Sequence, residues 1–129
     1  MDLSPDDARQ TERTRETIER FNEAFNRHDV GAMMALMTED CLFENTYPPP
    51  DGEQFVGAAA VRTFWEQFFA GSPRAIITPE DLFACGDRCT VRWVYRWIAD
   101  DGSPGHVRGV DVFRVRDGLV AEKCSYVKG

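Results

Sequence analysis

The feature that most constrains this chain is a series of alternating stretches in its C-terminal half, each closed by turn chemistry. After Thr90, the residues Val91, Trp93, Tyr95 and Trp97 fall on one side of an extended chain, and Arg92, Val94 and Arg96 on the other. Successive side chains of a strand point to opposite faces, so this is a strand with one aromatic face. Three large aromatics in a row call for a deep apolar core or the lining of a pocket. The arginine face is left to solvent or to a partner subunit. Strands are likewise expected over 75–83, 90–99, 107–115 and 119–127, with Asp87-Arg88, Asp101-Gly102 and Asp117-Gly118 as turns. Those turns account for Gly102 and Gly105.

Upstream, the period changes from two to that of a helix. Ser4-Pro5-Asp6-Asp7 reads as a helix start, with a capping serine, a proline suited to the first turn and an aspartate at the capping-box position. Ile18, Phe21 and Phe25 recur at helical spacing, while Arg15, Glu19, Arg20 and Glu23 take other faces, predicting an amphipathic helix that stops near His28. Asp29 then caps a short second helix whose Met33, Leu36 and Met37 serve as core filler. A strand over 41–45 follows. Residues 46–53, with three consecutive prolines and Asp51-Gly52, form an irregular excursion, because proline cannot supply the N–H that a sheet interior needs. The pattern over 58–70, with Val61, Phe64, Trp65 and Phe68 on or near one face, predicts a third helix ending at Gly71. The fold class is α+β: one domain over 1–129, with helices segregated to one face of a sheet.

Composition narrows the function classes. Net charge is -7 with a pI near 4.8, which lacks the electrostatic footprint that a nucleic-acid backbone requires. The 43% hydrophobic content can build a core without a metal or disulfide. Cys41, Cys85, Cys89 and Cys124 show no tight ligand pairing, and with two histidines in the chain they read as reduced, mostly buried thiols. Without a long apolar run or a basic leader, a soluble cytoplasmic protein with no membrane partner is expected.

The sharpest functional signal is Asp111, which shares a strand face with Gly109, Phe113 and Val115. If Phe113 points inward, so does Asp111. Burial among aromatics disfavours the charged form of a carboxylate unless a cation or a hydrogen-bond donor compensates. Asp111 is therefore either a general acid, base or hydrogen-bond donor, or a member of a buried network neutralised by Lys123 or an arginine. Lys123 shares a face with Ala121, Ser125 and Val127, but the alternative set of Val120, Glu122, Cys124 and Tyr126 is as apolar, so the register of the last strand stays open. Asn45 shares a face with Cys41 and Phe43, where it can orient a ligand without acting as a base; Glu44 reaches the pocket only if a bulge reverses the parity. Tyr47 and Phe55 are placed to cover the pocket mouth, with Trp65, Trp93, Tyr95, Trp97 and Phe113 lining it. His106 is a rim acid or base ranked behind Asp111, and His28 interacts with helix-terminal carbonyls. Ser103 and Ser125 lack a nucleophile-elbow context, and no glycine-rich loop cradles a phosphate, so neither cofactor nor metal is expected.

Four segments carry a family resemblance: Phe21-Asn22-Glu23-Ala24-Phe25-Asn26-Arg27-His28-Asp29, Met37-Thr38-Glu39-Asp40-Cys41-Leu42-Phe43-Glu44-Asn45, Gly57-Ala58-Ala59-Ala60-Val61-Arg62-Thr63-Phe64, and Gly109-Val110-Asp111-Val112-Phe113-Arg114-Val115. Together they resemble the NTF2-like superfamily, in its SnoaL-like and ketosteroid-isomerase-like branch. That resemblance implies a cone-shaped fold in which N-terminal helices pack on a strongly curved antiparallel or mixed sheet around a pocket, in a homodimer. It also implies cofactor-independent isomerase, lyase or hydrolase chemistry, or binding alone, on a small apolar or aromatic molecule with a carbonyl or hydroxyl oxygen. An oligomeric structural module with a vestigial pocket is the third alternative. In the ketosteroid-isomerase pattern the proton-shuttling aspartate matches Asn45, the oxyanion-hole tyrosine matches Phe21, and the oxyanion-hole aspartate matches Asp111. Neither asparagine nor phenylalanine can take over those roles, which argues against steroid isomerisation.

Overall fold

The computed structural model describes residues 4–129. Helix α1 (Pro5–Asn26) is capped as its sequence requires. Ser4 Oγ accepts from the Asp7 N–H at 3.1 Å and donates to the Asp7 carboxylate at 2.8 Å, satisfying a donor that the helix ladder leaves open. Asp29 caps α2 (Val30–Ala35) by accepting from the Ala32 N–H at 3.0 Å. Met33 and Met37 are buried, as expected of filler.

Strand β1 (Met37–Glu44) begins at Met37 rather than Cys41. A short strand not expected from the sequence, β2 (Gln54–Val56), pairs antiparallel with β1 and sets Phe55 opposite Phe43. Three residues are too few to show a period, and the stacking of Phe55 on Phe43 supplies what pattern could not. Helix α3 (Ala58–Gly71) precedes four long strands: β3 (Ile76–Cys85), β4 (Arg88–Ile98), β5 (Pro104–Arg116) and β6 (Leu119–Val127). The first hairpin turns at Gly86-Asp87, one residue before the expected Asp87-Arg88; Gly86 supplies the positive φ of +59° that a two-residue turn needs.

The six strands run in the order β2-β1-β6-β5-β4-β3 in one curved sheet that does not close. The β1–β6 pairing is parallel and the other four are antiparallel, making the sheet mixed. Among the described residues, no helix is long and apolar enough to cross a membrane.

Helix α1 is tied to the sheet by side chains that imitate backbone. Asn26 donates to the Ile77 carbonyl and accepts from the Ile77 N–H, both at 2.9 Å, so its amide completes the edge of β3 as another strand would. Thr14 and Thr17 donate to the carbonyls of Gly86 and Gly118 in the β3–β4 and β5–β6 hairpin turns. Between these anchors, Phe21 meets Phe113 edge-on at 6.0 Å, and Phe25 meets Trp65 at 5.7 Å.

Two cross-strand pairs shape the concave face. Trp93 lies opposite Gly109 and Trp97 opposite Gly105, so Gly105 belongs to β5 and not to the turn. A Cβ at Gly109 would stand 2.6 Å from the Trp93 ring and 2.3 Å from the Tyr126 carbonyl oxygen; one at Gly105 would stand 2.4 Å from the Trp97 ring. The glycines let both indoles lie across the sheet instead of standing on it.

Candidate functional site

The sheet pairing decides which polar groups meet. Asp111 of β5 is opposite Ser125 of β6, and Phe113 is opposite Lys123. On its other side Lys123 pairs with Phe43 of β1. The buried set on β6 is Ala121, Lys123 and Ser125, while Glu122, Cys124 and Tyr126 turn outward, which resolves the register left open above. Val120 is buried as well, next to a register shift between Arg114 and Val115.

A compact network results. Ser125 Oγ donates to Asp111 Oδ1 at 2.6 Å, Lys123 Nζ donates to Ser125 Oγ at 2.9 Å, and Lys123 Nζ lies 3.4 Å from Asp111 Oδ2. The side chains of Lys123 and Asp111 are only 8% and 4% exposed. The ammonium also sits 4.8 Å from the Phe43 ring centre, 5.4 Å from that of Trp65 and 5.9 Å from that of Phe113. Cation, carboxylate and hydroxyl thus compensate one another within an aromatic cage.

This network opens on a cavity of about 180 Å³ between the sheet and helices α1 and α3. Asp111, Lys123 and Ser125 form its polar wall, with Asn45 and Thr46 at the start of the Pro-rich loop. Trp65, Trp93, Tyr95 and Trp97, all expected as lining, do line it. Phe113 is wholly buried beneath Lys123 and does not reach the cavity surface. Phe55 packs on Phe43 and Phe64, and Tyr47 is 71% exposed; neither lines the cavity. His106 is exposed opposite Arg96, on the face away from Asp111, as simple alternation requires. Glu44 turns outward to accept from Gln54 at 2.8 Å. His28 Nε2 donates to the Ala75 carbonyl at 2.6 Å, just before β3 and not at a helix end, and stacks on Phe69.

Two polar residues beyond the expected candidates join the site. Ser125, which lacks a nucleophile's context, enters it as a hydrogen-bonding partner, and its place two residues from Lys123 on one strand face is the signal that joins the two. Asn22 lines the cavity at 6% exposure. Its signal was its position within the apolar stripe, one residue after Phe21 and three before Phe25. Burial raises the phenol of Tyr95, with a Ser72 hydrogen bond pulling the other way. The Cys89 thiol is pushed up to about 11 by burial, and burial also raises Cys41 and Cys124.

Helices packed on a curved, open mixed sheet define the NTF2-like class. Within it, the chain belongs to the SnoaL-like family, whose domain profile matches residues 18–123. It is similar along its whole length to an NTF2-like protein of unknown function from Mesorhizobium loti, with 41% identity, complete coverage of both chains and a TM-score of 0.81. It is also similar to a Mycobacterium tuberculosis protein solved with estradiol-17β-hemisuccinate, with 26% identity, 88% of this chain and 92% of that one covered, and a TM-score of 0.76. A candidate SnoaL-like polyketide cyclase from Jannaschia sp. CCS1 shares the fold at 22% identity, covering 99% and 91% of the two chains with a TM-score of 0.80. No curated protein matches the sequence.

Proposed function

We propose that the cavity takes a small, largely apolar molecule carrying a carbonyl or hydroxyl oxygen and acts on it by cofactor-independent acid/base chemistry. The observation that carries this reading is the Lys123–Ser125–Asp111 network standing at the foot of an aromatic cavity. An ammonium has three donors. One is used on Ser125 and one faces Asp111, leaving the third for a guest oxygen. Charge that develops on that oxygen is met by a cation already held in place, which is how a preorganised site lowers a barrier. Asp111 and Ser125 position the ammonium, and Asn45, next after the Glu44–Cys124 pair of the β1–β6 ladder, offers an amide beside it. Its Oδ1 accepts from the Thr46 N–H, while its amide nitrogen makes no hydrogen bond among the described residues. Asn45 and Phe21 stand where a ketosteroid isomerase needs a base and a phenol, so a reaction other than steroid isomerisation is favoured.

The pairing of Asp111 favours a second reading, binding alone, since neither carboxylate oxygen is left without a partner. One assay separates the two. Exchange of the methyl protons of acetophenone is followed by NMR in D2O, with the wild type and with Asp111→Asn. Acid/base chemistry, with a solvent base taking the methyl proton while Lys123 holds the developing enolate oxygen, predicts exchange above the buffer rate and a loss of at least about 100-fold in the variant, with the circular dichroism unchanged. Saturable binding with exchange at the buffer rate would assign the pocket to binding alone.

A further inference from the structure

Helix α1 turns several polar side chains inward, and one of them has no task in the fold. Thr14, Thr17 and Asn26 each bond to the sheet. Asn22, only 6% exposed, makes no side-chain hydrogen bond among the described residues, although a leucine there would extend the apolar stripe of Ile18, Phe21 and Phe25. Its amide is not sealed inside the protein. The indole nitrogens of Trp65 and Trp93 have neither a partner nor accessible surface, which puts them out of a guest's reach. The Asn22 amide also lacks a partner but keeps surface, and for a residue this buried that lines the cavity, that surface is cavity surface. A guest that displaces water from this wall must replace the hydrogen bonds it removes, or bind more weakly for leaving the amide unpaired.

The two sides of the cavity differ in what they read. Lys123, Ser125 and Asp111 stand on the sheet, whereas Asn22 reaches in from the helix layer. An ammonium only donates, so it suits a carbonyl oxygen. A free amide donates and accepts, so it suits a hydroxyl, which does both. Asn45 has its Oδ1 engaged by the Thr46 N–H, which leaves Asn22 as the lining amide with both functions free.

We infer that Asn22 is a specificity-determining residue that reads a hydroxyl of the guest, so that the preferred guest is a hydroxylated ketone or aldehyde, with its carbonyl oxygen at Lys123 and its hydroxyl against the α1 wall. This rests on the cavity being a small-molecule site that holds an oxygen at Lys123, and names the second group which that site selects. A few placed polar groups in an otherwise apolar lining are what fix a ligand's orientation.

The test is a titration of the wild type and Asn22→Leu with acetophenone and its 3′- and 4′-hydroxy derivatives, at mildly acidic pH where the phenols are neutral. Leucine keeps the shape of asparagine and favours the helix. At least one hydroxy isomer is expected to bind the wild type roughly five- to tenfold tighter than acetophenone, the worth of one added hydrogen bond. The same isomer should move the side-chain amide signals of Asn22 in ¹⁵N–¹H spectra of labelled protein, assigned through bonds. Asn22→Leu is expected to lose the preference, because the hydroxyl would then be buried without a partner. Equal binding of all three probes by the wild type, or an undiminished preference in Asn22→Leu, would overturn the Asn22 reading and leave the pocket reading standing. So would Asn22 amide signals that stay fixed while a hydroxy isomer saturates the wild type, a readout that holds even where the variant does not fold. Failure of all three probes to bind would overturn both.

Discussion

Replacing Lys123 by methionine keeps an unbranched apolar stem one heavy atom shorter and removes the charge, leaving Asp111 buried with a hydroxyl but no cation. At 3.4 Å and an effective dielectric of about 20, the lost attraction is about 5 kcal/mol. Measured losses on breaking a buried pair from one side are about 3–5 kcal/mol, because the remaining charge keeps its desolvation cost. With an unfolding entropy near 2.1 cal/mol/K per residue, a chain of 129 residues should then lose roughly 11–18 °C in Tm. Asp111→Asn added to Lys123→Met removes the stranded charge while keeping an acceptor for Ser125, and should recover more than half of that loss. The assay is thermal unfolding by circular dichroism at neutral pH for the wild type, both single variants and the double variant, closed as a thermodynamic cycle. A Lys123→Met loss below about 1 kcal/mol, or a double variant no more stable than Lys123→Met, would refute the view that charge compensation holds this centre together.

Two further outcomes follow from the packing. Gly109→Ala drives a Cβ into the backbone carbonyl of Tyr126 and should cost at least about 2 kcal/mol by urea unfolding, whereas Gly105→Ala meets only the partly exposed Trp97 ring, and should leave stability nearly unchanged while shifting the Trp97 indole signal. Protonated buried thiols predict an alkaline loss: the folded Cys89 value of about 11 lies above the ordinary 9.0, so this contribution is full below pH 9.0 and falls as pH rises through about 11. The raised values of Cys41 and Cys124 act in the same direction. Cys89→Val should flatten the fall of the urea midpoint between about pH 8 and pH 11, and an unchanged slope would exclude the thiol as its source.

Strand alternation carried most of what was legible. It placed Asp111 inward with Phe113, Asn45 inward with Phe43, and His106 outward, and all three orientations hold in the structure. Alternation failed where both faces of a strand were equally apolar, as on β6, since only pairing with β5 and β1 decides which face turns in. It was blind to β2, which has too few residues for a period and forms because Phe55 finds Phe43 across the ladder. The roles of Gly105 and Gly109 were likewise hidden: a glycine in a strand has no side chain to read, and its purpose lies in the tryptophan opposite.

The same pairing bears on how the site can work. Asp111 is bonded to the residue directly opposite and faces the one two positions before it on β6, so its partners are built into the sheet and do not depend on a loop. A carboxylate with both oxygens engaged this way is a rigid anchor for the ammonium beside it. Chemistry at this centre would therefore run through Lys123, whose remaining donor faces a guest, with Asp111 as the residue that keeps it there. This ordering of roles distinguishes the two substitutions at the level of turnover. Lys123→Met should abolish acceleration outright. Asp111→Asn should instead leave the ammonium in place but less firmly held, so that a residual acceleration survives. An Asp111→Asn variant that loses acceleration as completely as Lys123→Met would place Asp111 as the direct proton acceptor and reverse the order.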